Sequence, residues 1–297
     1  MVGQNILEHD SVKGHTVYAP SSSELNLFNY TATIQAIKNF SPDLIIHAAG
    51  RVGGIQANIK NPVAFLTENL DISKNLIMAA KENGVKKLLN LGTSCMYPRN
   101  AVNPLKEETV LAGELEPTNE GYALAKCTAQ RLCDYIGRED NRFHYKTIIP
   151  CNLYGRFDKF DPAHSHLVPA IIYKIHQAKK SGADTVEIWG DGLARREFMY
   201  AGDLADFVTG ALSKFEELPS LMNVGLGHDY SVNEYYKIAA EVIGYKGQFV
   251  NDVSKPVGMK QKLVSVERLK KFGWQAKTSL ADGIAKTYEF YIQNVSQ

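Results

Sequence analysis

The residues whose types and spacing most clearly suggest catalysis are a tyrosine and a lysine four positions apart, in the run Tyr122-Ala-Leu-Ala-Lys126. In a helix this spacing puts both side chains on one face. An ammonium close to a phenol lowers the phenol's pKa, and such a phenol can deliver a proton to a carbonyl that is being reduced. By itself the pattern is weak, because both residues are common and the pair is more often structural.

A second polar group lies upstream, in the run Leu91-Gly-Thr-Ser-Cys-Met-Tyr97. It follows the apolar segment Val85–Leu91, which has the pattern of a buried strand. In an open parallel sheet, ligands bind at the carboxyl ends of the strands. A hydroxyl of this run can therefore reach the same substrate oxygen as Tyr122.

The elements that would position these side chains alternate between strand and helix over the first 150 residues. Strands are predicted at Asp43–Ala49 (buried on both faces), Val85–Leu91 and Lys146–Pro150, with helices at Pro62–Lys81 and Tyr122–Arg138 and an earlier strand at Val17–Pro20. This alternation predicts an α/β fold with a doubly wound parallel sheet of the Rossmann type.

The pattern loosens after Asn152, with a helix at Leu167–Ala178, a strand at Thr185–Trp189 and a last helix from Leu280. We therefore expect a dinucleotide-binding domain over residues 1–155, to which residues 196–215 return. Residues 156–297 would form mainly a smaller substrate-binding lobe.

Composition favours a small-molecule partner over nucleic acid or a membrane. The chain has 33 Lys and Arg against 32 Asp and Glu, and its apolar stretches are far shorter than the roughly 20 residues of a bilayer span. The first residues do not resemble a signal peptide, so a cytoplasmic location is expected. Four cysteines without CxxC spacing indicate reduced thiols and no metal site.

Strand, Gly-Thr-Ser and YxxxK together resemble the extended short-chain dehydrogenase/reductase superfamily. Further blocks narrow the resemblance: Arg51-Val-Gly-Gly-Ile55, Thr93-Ser-Cys-Met-Tyr-Pro98, Leu115-Glu-Pro-Thr-Asn-Glu120, Asn152-Leu-Tyr-Gly155, Ser165-His-Leu-Val-Pro169 and Arg195-Arg-Glu-Phe198. From Met1 to about Tyr291 the chain resembles the GDP-L-fucose synthase family, which are GDP-4-keto-6-deoxymannose 3,5-epimerase/4-reductases.

This resemblance implies a two-stage reaction at one site. Protons at C3 and C5, next to the 4-keto group, are exchanged, and a hydride from a nicotinamide then reduces C4. Thr93, Tyr122 and Lys126 would form the reductase triad. Cys95 and His166 would be the base and acid that act on opposite faces of the sugar. The residue types alone leave open a buried structural Cys95 and a His166 that merely begins a helix.

The resemblance also implies NADPH as the cofactor, with NADH as the alternative. It gives the cofactor Val2, Gly3, Ser22, Leu27, Leu91, Gly92, Thr93, Ser94, Lys126, Pro150, Asn152, Leu153 and His166. Three serines, Ser21 to Ser23, stand where an acidic residue would favour NAD or an Arg would favour NADP. The residues of that turn are therefore compatible with either cofactor.

The GDP-sugar would contact Lys174, Trp189, Arg196 and Lys262, whose cations suit a pyrophosphate. Lys174 stands where the family commonly has Arg, and Val257 stands where it can have Asp, so the departures from the family pattern concern base or sugar contacts. The family also implies a homodimer, formed through the helices Pro62–Asn83 and Tyr122–Arg138.

The start of the chain departs most from the family pattern. Met1-Val-Gly3 resembles the end of a Gly-x-x-Gly-Met-Val-Gly segment, so a first strand and glycine turn would be missing through a mis-set or truncated start. Exposed strand edges and a poorly held cofactor pyrophosphate are the expected consequences.

Three functions remain open at this level. The first is the 3,5-epimerisation and 4-reduction that yields GDP-L-fucose. The second is a 4-reductase of another GDP-4-keto-deoxy sugar, either a 3,6-dideoxyhexose or a 6-deoxy-heptose. The third belongs to another class, a non-catalytic nucleotide-sugar-binding homologue.

Overall fold

The computed structural model describes residues 1–161, 165–255 and 259–296, so Val257 lies outside the described residues. The helices are α1 (Val2–Leu7), α2 (Tyr30–Phe40), α3 (Ile55–Lys60), α4 (Pro62–Glu82), α5 (Glu120–Glu139), α6 (Leu167–Ser181), α7 (Ala201–Leu212), α8 (Val232–Ile243), α9 (Glu267–Phe272) and α10 (Leu280–Asn294). The strands are β1 (Leu44–His47), β2 (Lys87–Leu91), β3 (His144–Pro150), β4 (Asn152–Tyr154), β5 (Thr185–Trp189), β6 (Arg195–Arg196), β7 (Phe198–Tyr200), β8 (Leu221–Val224), β9 (Tyr230–Ser231), β10 (Gln248–Asp252) and β11 (Gln261–Lys262).

The main sheet has four parallel strands in the order β1-β2-β3-β8. Ile45 lies opposite Leu88, and Ile148 lies opposite Met222. Helices cover both faces of the sheet. Successive residues of a strand point to opposite faces, so Leu88 and Leu89 show what lies on each side. Leu88 packs in a cluster with residues of α2, α4 and α5, whereas Leu89 packs in a cluster with residues of α7. The predicted doubly wound α/β fold is confirmed.

Most predicted elements around the sheet are confirmed to within a few residues. Helix α4 begins at Pro62, where a proline lacks an N–H that the first turn would leave unpaired anyway. Helix α5 contains both Tyr122 and Lys126. The predicted strand at Val17–Pro20 is wrong: these residues form no strand, and Val17 and Tyr18 are about half exposed. A strand needs a pairing partner, and within residues 1–161, 165–255 and 259–296 this segment has none.

Strand β1 forms one edge of the sheet, since it pairs with β2 alone within the described residues. The sequence pattern predicted burial on both of its faces, and this is only partly correct. His47 is buried, but Leu44, Ile45 and Ile46 are only partly buried. An edge strand shares its side chains with one neighbour fewer, so the apolar run overstated its burial.

The second half of the chain builds a separate core among α6, α8 and α10, which contains Tyr154, Tyr235 and Tyr291. Strand β5 pairs with β10, and β6 pairs with β9 and β11. The buried carboxylate of Glu197 accepts backbone N–H bonds from Leu226, Gly227 and Val264 at 2.6 to 2.9 Å. It thereby ties the chain after β8 to the chain after β11. No helix in the described part of the chain has the length and apolarity needed to cross a membrane.

Candidate active site

The site is built on the turn that follows β2. The N–H of Gly92 donates to the carbonyl of Ile148 at 2.8 Å. A Cβ at Gly92 would lie 3.0 Å from Met96 Sδ and 3.1 Å from the Ile148 oxygen, so a larger residue would disturb the turn. Thr93 is extended and its Oγ1 accepts the N–H of Cys95 at 3.3 Å, which begins a short 3-10 turn over Ser94–Met96. This turn places the side chains of both Thr93 and Cys95 at the carboxyl end of β2.

Helix α5 brings the tyrosine and lysine to the same place. Tyr122 is hydrogen-bonded to the side chain of Thr93. The Nζ of Lys126 donates to the carbonyl of Leu91 at 2.9 Å and lies 6.0 Å from the centre of the Tyr122 ring. The structure therefore brings together Thr93, Tyr122 and Lys126, which the sequence had placed on two different elements.

The electrostatics of this pair differ from the sequence-based expectation. Burial raises the pKa of Tyr122 above its usual range, the nearby Cys95 adds to this, and only the hydrogen bond from Thr93 opposes it. Lys126 was expected to lower the phenol's pKa, but its Nζ lies 6.0 Å from the ring centre and the net shift of the Tyr122 pKa is upward. Burial also lowers the pKa of Lys126 to about 8.

Residues from β1 to α4 support this group from behind. The ring of Phe65 meets Tyr122 edge to face, with centroids 6.4 Å apart, and the Arg51 guanidinium lies 5.2 Å from the Phe65 ring centre. Asn69 holds the backbone of Arg51: its Oδ1 accepts the Arg51 N–H at 2.9 Å and its Nδ2 donates to the Arg51 carbonyl at 3.1 Å. The segment from Arg51 is thus held against the tyrosine.

His47, at the end of β1, is buried and hydrogen-bonded to Ser73 Oγ at 3.0 Å. Burial and the nearby Lys126 lower its pKa to about 3.

Cys95 is partly buried and receives two side-chain donors from the part of the chain that the structure describes. Asn119 Nδ2 lies 3.3 Å from the sulfur, and Lys262 Nζ lies 3.6 Å from it. Lys262 belongs to β11, where it is the register partner of Arg196 on β6. The second half of the chain therefore contributes directly to the group around β2. Sequence reasoning gave Asn119 no role, although it lies inside the Leu115–Glu120 block that carried the resemblance.

His166 immediately precedes α6 and has extended backbone, with no side-chain capping bond. Its electrostatic neighbour is Asp158, whose pKa is raised by burial, a shift that His166 opposes. Asp158 Oδ2 is buried and has no hydrogen bond among the described residues. The structure gives His166 no hydrogen bond to Cys95 or Tyr122 within the described ranges, so it does not join all the predicted catalytic residues.

The residues expected to bind the nucleotide lie on the second half of the chain. Trp189, at the end of β5, is 49% exposed, and the ammonium groups of Lys174 and Lys255 lie 5.2 and 5.8 Å from its ring centre. Lys174 Nζ also donates to the Glu187 carbonyl at 3.3 Å. An exposed indole with two cations beside it suits a nucleotide that has a flat base and a negative pyrophosphate.

The predicted cofactor residues fall into two groups. The first group lies along the carboxyl edge of the sheet, where β2 and β3 end and β4 begins. Its members are Leu91, Gly92, Pro150, Asn152 and Leu153. Val2 and Gly3 lie in α1, and Ser22 and Leu27 lie in the exposed stretch after residue 20.

The carboxyl edge leaves room for a cofactor to approach the backbone beside Lys126. Ala48, Ala49 and Gly50 are small and exposed, and a Cβ at Gly50 would lie 3.8 Å from Lys126 Nζ. A cavity of about 180 Å³ lies beside Tyr122 and is also lined by Asn58, Phe65 and Asn119. A larger depression of about 590 Å³ lies between α2 and the end of α4 and contains none of the predicted site residues. The described residues hold no cluster of three or more His, Cys, Asp or Glu that could bind a metal.

A parallel sheet with Thr, Tyr and Lys converging at its carboxyl edge defines the short-chain dehydrogenase/reductase class of enzyme. Residues 1–225 match the model of the NAD dependent epimerase/dehydratase family, and the chain belongs to that family. It is 55% identical to the GDP-L-colitose synthase of Yersinia pseudotuberculosis, over 98% of this chain and 95% of the relative. It is 49% identical to the GDP-L-fucose synthase of Azorhizobium caulinodans, over 98% and 93% of the two chains. The resemblance inferred from the sequence motifs is confirmed.

Solved structures agree with this assignment. A GDP-6-OMe-4-keto-L-xylo-heptose reductase from C. jejuni superposes with a TM-score of 0.91 at 29% identity, over 98% of this chain and 94% of the other. A GDP-mannoheptose C4 reductase from Campylobacter jejuni, with NADP bound, gives a TM-score of 0.88 at 29% identity, over 98% and 95%.

Proposed function

We propose that this protein is an NADPH-dependent enzyme that converts GDP-4-keto-6-deoxy-D-mannose into GDP-L-fucose by 3,5-epimerisation and 4-reduction. The observation that carries the proposal is the convergence of Thr93, Tyr122, Lys126 and Cys95 after β2 with Lys262 of β11. The names of the relatives support a GDP-linked sugar. The NADP bound to the mannoheptose reductase supports NADPH.

Reduction requires a proton for the oxygen at C4. NADPH, when bound, supplies the hydride, and the residues along the carboxyl edge of the sheet together with Lys126 would hold it. Tyr122 keeps its proton at neutral pH because burial raises its pKa, so it is available to donate that proton. Thr93 fixes the phenol through its hydrogen bond and leaves the phenol next to the turn where the ketone would bind.

Epimerisation uses the same ketone. Removing a proton from C3 or C5 places negative charge on the C4 oxygen, where the Tyr122 hydroxyl can stabilise it. Cys95 would remove the proton, and His166 would return one from the opposite face of the ring. Cys95 is close enough to Tyr122 for its charge to affect the phenol, which supports a shared site for both stages.

A second candidate follows from the relative with 55% identity, which is named a GDP-L-colitose synthase. Colitose is a 3,6-dideoxyhexose, so its C3 carries no hydroxyl whose configuration could be inverted. The same residues would then invert C5 alone and reduce C4. This is the 3,6-dideoxyhexose alternative that the sequence left open.

The two candidates separate in one experiment. The purified protein is incubated in D₂O with NADPH and either GDP-4-keto-6-deoxymannose or its 3-deoxy analogue, and the products are identified by NMR. The proposal expects NADPH oxidation, deuterium at C3 and C5, and GDP-L-fucose from the first substrate. Turnover of the 3-deoxy substrate alone would favour the second candidate. Binding of both sugars without any NADPH oxidation would favour a non-catalytic protein.

A further inference from the structure

We infer that Lys262 is a positioning residue for Cys95, and that its ammonium donates to the sulfur and stabilises the negative charge that the sulfur needs in order to accept a proton. The inference rests on the proposed function, because it gives Lys262 a part in the epimerisation stage. The sequence had assigned Lys262 to the substrate pyrophosphate instead. The geometry points to the thiol as its partner.

The contacts around the sulfur form a small donor cage. Lys262 Nζ approaches from β11 at 3.6 Å, and Asn119 Nδ2 approaches from the turn before α5 at 3.3 Å. Both groups are hydrogen-bond donors, and a thiolate accepts such bonds better than a thiol does. Two donors from different elements on one sulfur therefore favour its negative form.

Hydrogen bonds of the neighbouring residue Leu263 fix the position of the backbone that carries Lys262. Leu105 N–H donates to the Leu263 carbonyl at 2.8 Å, and Asn103 Oδ1 accepts the Leu263 N–H at 2.8 Å. Strand β11 is therefore attached to the segment that follows the Cys95 turn. The side chain of Lys262 is partly buried, which limits screening of its charge by water.

Cys95 also interacts electrostatically with two other titratable groups, Tyr122 and Cys127. Burial raises the pKa of both, that of Cys127 to about 12, so both carry their protons at neutral pH. Neither places a negative charge next to the sulfur under those conditions. The ammonium of Lys262 thus acts on Cys95 without an opposing anion from these two groups.

The proton balance of the step is simple. The Cys95 thiolate takes the proton from the carbon next to the ketone, and the electron pair of that C–H bond moves into the carbonyl to give an enolate. His166 then gives a proton to the opposite face of the same carbon. Cys95 returns its proton to solvent, and His166 regains one from solvent. Lys262 keeps its proton throughout and moves no electrons.

The test measures thiol reactivity without substrate or cofactor. Wild type, Lys262→Met, Lys262→Arg and the matched control Lys260→Met are alkylated with iodoacetamide across a pH series, and modification of Cys95 is followed by mass spectrometry. Lys260 is an exposed lysine two residues away with no side-chain contact to Cys95 among the described residues. We expect Lys262→Met to react about tenfold more slowly at neutral pH, with its profile moved to higher pH by about one unit. Lys262→Arg and Lys260→Met should keep the wild-type profile.

A second measurement separates this inference from the proposed function. In D₂O, Lys262→Met should lose deuterium exchange at C3 and C5 by at least about tenfold, in proportion to its slower alkylation. An unchanged alkylation profile with only a raised KM for the GDP-sugar would overturn the inference and return Lys262 to the pyrophosphate. If Lys262→Met does not fold, as judged by circular dichroism, Lys262→Gln takes its place with the same expectations. Lys262-dependent alkylation in a wild type that shows no exchange would contradict the proposed function alone.

Discussion

At the scale of single residues, the chemistry depends on groups whose properties are set by burial. Tyr122 and Lys126 are recognisable from their spacing, but their pKa values are not, because the spacing says nothing about solvent. Burial raises the pKa of the Tyr122 phenol and lowers the pKa of the Lys126 ammonium. Both shifts have one cause, since desolvation disfavours the charged form of each group. The phenol therefore keeps its proton at neutral pH, as the proposed proton donor must, and the pKa of the lysine, about 8, lies close to physiological pH.

Tyr122→Phe is expected to lower kcat for NADPH oxidation by about 10²- to 10⁴-fold, because the C4 oxygen loses its proton donor. Binding of the GDP-sugar should change little, since the substitution removes one oxygen and keeps the ring against Phe65. Stopped-flow absorbance gives the rate and calorimetry gives the affinity. A turnover number equal to that of wild type would remove Tyr122 from the reaction.

The pH dependence should report Lys126. Its ammonium is charged below a pKa of about 8 and neutral above it, so kcat/KM is expected to fall as the pH rises through about 8. Lys126→Arg should lose this alkaline limb, because a guanidinium stays protonated throughout the range. Initial rates across a pH series test this, and an unchanged limb in the arginine variant would assign the titration to another group.

At the scale of elements, the important connections join segments that are distant in sequence. Glu197 lies between β6 and β7, and its carboxylate receives three backbone N–H groups from the turn after β8 and from the chain after β11. Burial raises its pKa to about 7, and the three hydrogen bonds only partly oppose that shift. This side chain therefore links Val264, two residues after Lys262, to the turn that follows β8.

Glu197 should make stability depend on pH. Its pKa in the folded chain, about 7, is above the ordinary 4.5, so its contribution is fully present below pH 4.5 and is lost as the pH rises through 7. The loss should reach about 3 kcal/mol of unfolding free energy. Glu197→Gln, which does not titrate, should be less stable in absolute terms but should lack this loss. Urea unfolding of both proteins at several pH values checks the prediction, and parallel pH profiles would contradict it.

At the scale of the whole molecule, the two edge strands of the main sheet differ in burial, since three of the four residues of β8 are buried and only one of the four in β1 is. Strands β2 and β3 each have a neighbour on both sides, whereas β1 has β2 alone among the described residues. The apolar side chains of β1 are accordingly only partly buried. Among the described residues β1 is thus an edge strand, and the small residues Ala48 to Gly50 follow it.

Hydrogen exchange should detect this asymmetry. Backbone amides of β1 that do not face β2 are expected to exchange much faster than those of β2, because they lack a strand to accept them. Mass spectrometry of peptides that cover residues 43–48 and 86–92 provides the comparison. Equal protection of both peptides in dilute protein would show that another segment pairs with β1.

The homodimer expected from the family has a test at the same scale. Helices α4 and α5 carry exposed apolar residues, among them Leu124 at 38% and Tyr135 at 54% exposure. If these helices form the interface, Leu124→Lys should convert a dimer to a monomer by burying an unpaired charge, whereas Val102→Lys, on an exposed loop, should not. Sedimentation velocity distinguishes the two, and a dimer that persists in Leu124→Lys would place the interface elsewhere.

The sequence by itself determined which reactive side chains are present and the alternation of strands and helices that produces the parallel sheet. The boundaries of α4 and α5, the strand before Thr93 and the pairing of Tyr122 with Lys126 follow from local patterns, because helix caps and periodic burial are encoded within a few residues of where they act. The tertiary structure decided what those groups contact. Lys262 lies beside Cys95 although the two are 167 positions apart, and Val17–Pro20 forms no strand. Both outcomes depend on contacts with distant segments, which no local pattern specifies. Desolvation belongs to the same category, since the pKa values of Tyr122 and Lys126 are set by everything that packs around them.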